Sequence, residues 1–187
     1  MDYHKFRDQF SLNDDRLAEV LGISEIRNYR KNEFILEQNT KCNWVATIIE
    51  GAVRTFIINE NGEEISYLLQ VNGDYIGDYE SYLMGSNATF NIKTCVDTSM
   101  LLIQKDKLLK LSEKDVFWLE YQKKMSDLCF IEAKRRIDEL LFYTPEQRYL
   151  NLLAKAPEII QKIPQRFISS YLGITPQSLS RIRSRIS

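Results

Sequence analysis

The chain has 187 residues, 44 % of them hydrophobic and 27 % charged, with a formal net charge of −1. That much apolar material can bury a core, as one domain with an appendage or as two unequal domains, and it excludes a disordered chain. No stretch approaches the roughly 20 apolar residues of a membrane span, and "MDYHKFRDQFSLNDD" lacks the apolar core of a secretory signal, so a cytoplasmic protein without membrane contact is expected.

Cys42, Cys95 and Cys129 are odd in number, widely spaced and without a CxxC pair, which argues against a disulfide framework and against a zinc or iron–sulfur cluster. They read as buried thiols, with redox sensing as the alternative. The single histidine, His4, reads as a surface residue in a polar segment. One histidine is too few for metal-dependent hydrolases, cupin-type oxygenases or Ser-His-Asp hydrolases, so no enzyme, metal site or cofactor is expected.

Charge is segregated along the chain. From Thr144 onward seven basic residues (Arg148, Lys155, Lys162, Arg166, Arg181, Arg183, Arg185) face two acidic ones (Glu146, Glu158), a surplus of five positive charges. The remainder carries eighteen basic against twenty-four acidic residues. A neutral protein with one basic module fits contact with a polyanion through that module.

In chain order, the first thirty residues read as helical. Asn13 or Ser11 can cap "DDRLAEVLG", Leu17, Val20 and Leu21 share a face, and Gly22 supplies a stop. Between 32 and 104 come short β-branched and aromatic runs, "EFILEQ", "WVATIIEGAVRTFIIN", "EISYLLQV", "FNIKTCV" and "MLLIQ", separated by turn residues, which predicts a sandwich or barrel. "NENGEE" is the clearest hairpin, because Asn-Gly adopts the positive φ angles of tight turns.

A stretch without Gly or Pro then runs over 115–143, in which Tyr121, Met125 and Leu128, then Ala133, Ile137 and Leu140/Leu141, recur at helical steps. One helix of about 40 Å is predicted. Its apolar face outreaches a domain of about a hundred residues and calls for a partner, either a second copy of itself or the body of the same chain. Thr144 and Pro145 then fit the N-cap and first turn of a short helix, "EQRYLNLLAKA", followed by "PEIIQKIP".

The closing segment "PQRFISSYLGITPQSLSRIRSRIS" reads as a helix-turn-helix. Phe167, Ile168, Tyr171 and Leu172 form one helical face, Gly173 permits a left-handed turn, and Ile174 fills the space beneath it. Thr175 caps a second helix that begins at Pro176, with Leu179, Ile182 and Ile186 inward. Gln177, Ser178, Ser180, Arg181, Arg183, Ser184 and Arg185 face outward, a set of donors suited to base edges and phosphates. Gln177 and Arg181, one turn apart, are the expected base-reading pair, and Arg183 and Arg185 the expected phosphate contacts.

In this order of elements the chain resembles the Crp/Fnr family of bacterial transcription regulators, most closely the short members common in Bacteroidetes. "NGDYIGDYESYL" looks like the family's Gly-Asp-x-x-Gly-Glu phosphate cassette, and "LGITPQSLSRIRSRI" like its helix-turn-helix, with Arg181 at the base-contacting arginine. The resemblance implies an α+β fold: a β-roll (double-stranded β-helix) over 1–114, a dimerisation helix over 115–143 and a helix-turn-helix over 144–187 with truncated or absent wing. It implies a cytoplasmic homodimer that binds double-stranded DNA at a pseudo-palindromic operator, contact with RNA polymerase, and an effector pocket in each roll.

The departures bear on that pocket. Cyclic-nucleotide binders of the family use a Glu after the cassette glycine for the ribose and an Arg-Ser pair for the cyclic phosphate. Here Gly77-Asp78 is one methylene shorter, Ala88-Thr89 stands at the Arg-Ser pair, and Tyr121 and Gln122 stand at the base-facing positions of the long helix. Losing the arginine fork costs about 2–5 kcal/mol, about 30-fold or more in affinity. The expected pocket of Gly77, Asp78, Ala88, Thr89, Tyr121 and Gln122 is therefore read against cyclic AMP, with an effector of unknown identity. Arg54 and Lys93 are either anion partners or ordinary surface charges. Iron–sulfur sensing lacks its N-terminal cysteines and haem sensing its histidine. The competing reading is a small-molecule-binding β-roll whose C-terminal helices mediate protein contacts.

Overall fold

A computed structural model of the chain describes residues 4–186. The β-branched and aromatic runs form β1 (Ser24–Tyr29), β2 (Phe34–Leu36), β3 (Trp44–Glu50), β4 (Ala52–Ile58), β5 (Glu64–Val71), β6 (Tyr75–Ile76), β7 (Asn91–Thr94) and β8 (Thr98–Gln104). They pair antiparallel in two four-stranded sheets, ordered β1-β8-β3-β6 and β2-β7-β4-β5. The expected β-roll is borne out. Alternation along β3 explains how it fills: Trp44, Ala46 and Ile48 join Val53, Ile92, Met100 and Leu102 in one core, while Val45 joins the helices on the other face.

The β4–β5 hairpin forms where expected, but Asn59 organises it alongside Gly62. The Asn59 side-chain oxygen accepts from the amides of Asn61 and Glu63, at 3.0 and 2.9 Å, and Gly62 takes φ 78°. This is the local side-chain turn open to asparagine.

The N-terminus departs from expectation. Helices α1 (His4–Phe10) and α2 (Asp14–Ile23) end the helical region at Ile23, and 24–29 form β1 against β8. Gly22 lies inside α2; the stop comes at Ser24, whose hydroxyl donates to the Val20 carbonyl at 2.6 Å. Asn13, not Ser11, is the cap, accepting from the Arg16 amide. The expectation for the His4 side chain lies outside the described residues.

Helix α3 (Tyr79–Met84) follows β6, and α4 (Lys105–Ser112) leads into the long helix α5 (Val116–Phe142), capped by Asp115. The first turns of α5 are fixed to α2: Arg16 pairs with Asp115 at 2.7 Å, and Trp118 donates to Glu19 at 3.2 Å. Trp118, Tyr121 and Met125 are buried with Phe6, Phe10, Val20, Leu108 and Leu111. Beyond Leu128 the apolar stripe emerges: Phe130 is 70 % exposed, Ile137 56 % and Leu141 71 %. The body of the chain thus buries one face of the first half of the helix, while the second half keeps large apolar side chains exposed and meets the C-terminal helices through Arg136, on the Tyr171 carbonyl, and Glu132, on Lys155.

Four shorter helices close the chain: α6 (Pro145–Lys155), α7 (Glu158–Lys162), α8 (Gln165–Leu172) and α9 (Pro176–Ile186). Thr144 and Gln147 form a complete capping box at α6, with Pro145 in the first turn. These helices have no core apart from the roll. Tyr149, Leu152, Ile159, Ile163, Ile168, Leu172, Leu179 and Ile182 bury together with Ala52, Leu69, Val71 and Cys95. Polar ties follow the same seam: the Ser66 amide donates to Ser170 Oγ at 2.9 Å, and Lys162 Nζ to Asn72 Oδ1 at 3.1 Å.

Candidate nucleic-acid interface and effector pocket

The exposed surface of α9 is set by its two neighbours. Gly173, at φ 68°, turns the chain after α8, and its amide donates to the Ser170 carbonyl at 3.1 Å. Thr175 Oγ1 accepts from the Ser178 amide at 3.2 Å and opens α9. Leu179 and Ile182 sink into the shared core, which leaves Gln177, Ser180, Arg181, Ser184 and Arg185 exposed, with Ser178 and Arg183 half-buried. Ile186, expected inward, is 39 % exposed. Arg148 braces the arrangement by donating to the carbonyls of Tyr143 and Leu172, at 2.9 and 2.8 Å.

A groove runs between the start of α6 and α9, lined by Thr144, Glu146, Ser178, Arg181, Ile182 and Arg185 among others. Across it Arg185 Nη1 lies 3.5 Å from Glu146 Oε2. The sequence gives no sign of this pair, which joins residues thirty-nine positions apart.

At the expected effector pocket, the roll brings Gly77-Asp78 and Ala88-Thr89 together. Asp78 is buried and both carboxylate oxygens are engaged: Oδ1 accepts from the Ser81 amide at 2.9 Å, capping α3, and Oδ2 from the Thr89 amide at 3.0 Å. Gly77, at φ 144°, passes so close to β3 that a Cβ there would stand 3.2 Å from the Trp44 carbonyl. Ala88 is buried and Thr89 exposed.

The two long-helix positions are both engaged by the protein's own side chains and backbone. Tyr121 packs on Phe10, ring centroids 4.4 Å apart, and burial pushes its hydroxyl pKa well up. Gln122 donates to the Leu108 carbonyl at 3.4 Å. A hydrogen bond between Tyr79 and Ser126, a small hydroxyl with no sequence signal of its own, also joins cassette to long helix, beside the packing of Tyr75 and Tyr121 on Phe10. Ser126 could have been found by its place one turn beyond Gln122 on the same face.

Arg54 is buried rather than a surface charge, paired with Glu64 at 2.6 Å; Lys93 sits over the Phe34 ring. Desolvation lowers the Arg54 pKa from its usual value and Glu64 opposes that. Among the described residues no group of three or more His, Cys, Asp or Glu could hold a metal ion, and no helix is long and apolar enough to cross a membrane.

The family model for the cyclic nucleotide-binding domain matches residues 26–115. The match to this domain starts in β1 and stops at Asp115, the residue that caps α5, so the long helix and everything after it lie beyond the domain. No curated protein sequence matches the chain.

Solved structures extend the comparison past the domain. FixK2 from Bradyrhizobium japonicum superposes with a TM-score of 0.75 at 21 % identity, over 88 % of this chain and 84 % of that one. The catabolite activator protein of Thermus thermophilus gives 0.60 at 18 % identity, over 98 % and 85 %. The c-di-GMP responsive global regulator CLP of Xanthomonas campestris gives 0.70 at 14 % identity, over 93 % and 91 %. The chain therefore has the fold of the Crp/Fnr regulators: cyclic nucleotide-binding domain, long helix and C-terminal helices in one arrangement.

Proposed function

We propose that the chain is a dimeric, sequence-specific DNA-binding transcription regulator of the Crp/Fnr type, acting in the cytoplasm. The observation that carries this is the outward face of α9, where Gln177 and Arg181 stand exposed one turn apart over a helix anchored by Leu179 and Ile182. Thr175, Ser178 and Ser180 frame that pair with hydroxyls, and Arg183 and Arg185 extend it with charge. A helix presenting donors in this way suits the major groove, with amide and guanidinium groups on base edges and the remaining donors on phosphates.

The open half of α5 supplies the dimer seam in this reading. Phe130, Ile137, Leu140 and Leu141 are large, apolar and exposed on one helix, and a second copy of the same helix covers them symmetrically. Two recognition helices then meet half-sites one helical turn apart, about 34 Å, on a pseudo-palindrome. RNA polymerase is the partner through which such a dimer alters transcription.

Cyclic AMP is not the effector in this reading. Asp78 spends both oxygens on the protein's own amides, and buried Ala88 brings no charge to neutralise a phosphate. An effector, if the roll takes one, enters near Gly77, Asp78, Ala88 and Thr89 and is relayed to α5 through Tyr79 and Ser126.

Selection of tight binders from a pool of random duplexes, followed by titration at several salt concentrations, tests the proposal. A two-fold-symmetric site is expected, with Arg181→Ala losing roughly tenfold or more in affinity. Recovery of no preferred sequence, or an Arg181→Ala variant that binds like the parent, would overturn it. Cyclic AMP is expected to leave the melting temperature unchanged.

A further inference from the structure

We infer that Glu146 is a positioning residue that holds Arg185 off the DNA backbone in the free protein and so sets the affinity of the recognition helix. The inference rests on the DNA-binding reading and adds a residue outside α9 to it.

Glu146 is one of two carboxylates in 144–187. The other, Glu158, faces Lys162 at 3.7 Å on α7. Glu146 instead stands in the groove beside α9, lined also by Arg181, with its carboxylate 3.5 Å from Arg185. Its placement is fixed by backbone: the Thr144–Gln147 capping box sets the first turn of α6, and Arg148 ties that turn to the carbonyl of Leu172 at 2.8 Å.

Arg185 itself reaches back along its helix, with Nε donating to the Arg181 carbonyl at 3.4 Å. Nε and Nη1 of the guanidinium are thus turned toward the protein. A phosphate that takes Arg185 must displace an acidic competitor, and an exposed ion pair of this kind is weak enough to be displaced yet strong enough to matter. An otherwise basic module placing a carboxylate beside its own phosphate-binding arginine lowers affinity for any duplex.

The test is a double-mutant cycle on the full chain, titrating the selected operator at about 50 mM salt, where phosphate contacts count most. Glu146→Gln is expected to tighten binding roughly twofold to fivefold. In the Arg185→Ala background the same change is expected to do nothing, because the residue it acts through is gone. An unchanged affinity for Glu146→Gln, or an equal gain with and without Arg185, would overturn the inference; the second outcome would mean direct repulsion of phosphate. If the parent binds no duplex, the DNA-binding reading itself falls. Melting curves on all four proteins establish that each is folded.

Discussion

The guanidinium of Arg54, on β4 of the roll, lies 3.9 Å from the ring centroid of Phe167, on α8 of the C-terminal helices, and 4.1 Å from that of Phe56. One cation thus sits between two rings, one from each part of the chain, and is neutralised by Glu64 from the same hairpin. The arginine side chain is 3 % exposed and the glutamate 49 %, so the pair joins a buried charge to a half-solvated one.

Removing the two partners should therefore have unequal effects. Glu64→Ala strands a buried guanidinium and is expected to cost about 1–3 kcal/mol, less than a fully buried pair because water still reaches the site. Arg54→Met keeps the volume between the rings and removes the charge, and is expected to cost less. Denaturant unfolding of both variants checks the order; a larger loss for Arg54→Met would show that the ring contacts outweigh the charge.

The exposed half of α5 can be tested by charge. Phe130→Glu combined with Leu141→Glu alters two residues about 70 % exposed, so the fold of one chain should be untouched. Sedimentation is expected to show a monomer in place of a dimer, with an unaltered circular dichroism spectrum. A dimer that survives both charges would move the contact to another surface.

Asp78 serves two buried amides at once. Asp78→Ala leaves the Ser81 and Thr89 amides without acceptors, and a loss of about 2–4 kcal/mol is expected by chemical denaturation. Asp78→Asn keeps one oxygen and is expected to lose less. Equal losses would mean that a single retained oxygen contributes nothing to stability.

Alkaline pH should weaken the fold in two stages. Burial pushes the Cys95 thiol from 9.0 up to about 11, and the Tyr82 and Tyr171 hydroxyls from 10.0 up to about 12. Each raised group favours its neutral form in the fold, so its contribution is complete below the ordinary value and is lost as pH rises toward the folded one. Stability is expected to decline from about pH 9 and more steeply above pH 10. Cys95→Ala should flatten the stretch between 9 and 11, measured as unfolding free energy against pH.

Much of this molecule could be read from residue pattern. Period-two runs located the strands from β2 to β8 apart from β6, two residues too short to show a period. β1 leaves little local signal because "SEIRNY" has no buried residue and takes its strand form from pairing along β8, a tertiary cause. The C-terminal helices were legible because caps, glycine and apolar spacing all act within a few residues. The burial of Arg54, the Tyr79–Ser126 link and the Glu146–Arg185 pair were not, since each joins segments far apart in sequence. Tyr121 and Gln122 illustrate the same limit: alignment to a motif gave their helix face, while their partners depended on α1 and α4.

Helix α5 is packed into the body over its first three turns, and its second half is held to the C-terminal helices by polar side chains, Arg136 on the Tyr171 carbonyl and Glu132 on Lys155, which gives it the mechanics of a lever with a load on its arm. From Met125 to Phe142 this arm is about 25 Å long at 1.5 Å per residue. A tilt of about 5° at Tyr121 or Ser126 therefore carries the far end through about 2 Å, the scale of helix shifts that switch subunit contacts. A disturbance too slight to alter the roll visibly would reach the start of α6, where Thr144 and Glu146 stand beside α9, amplified by leverage alone.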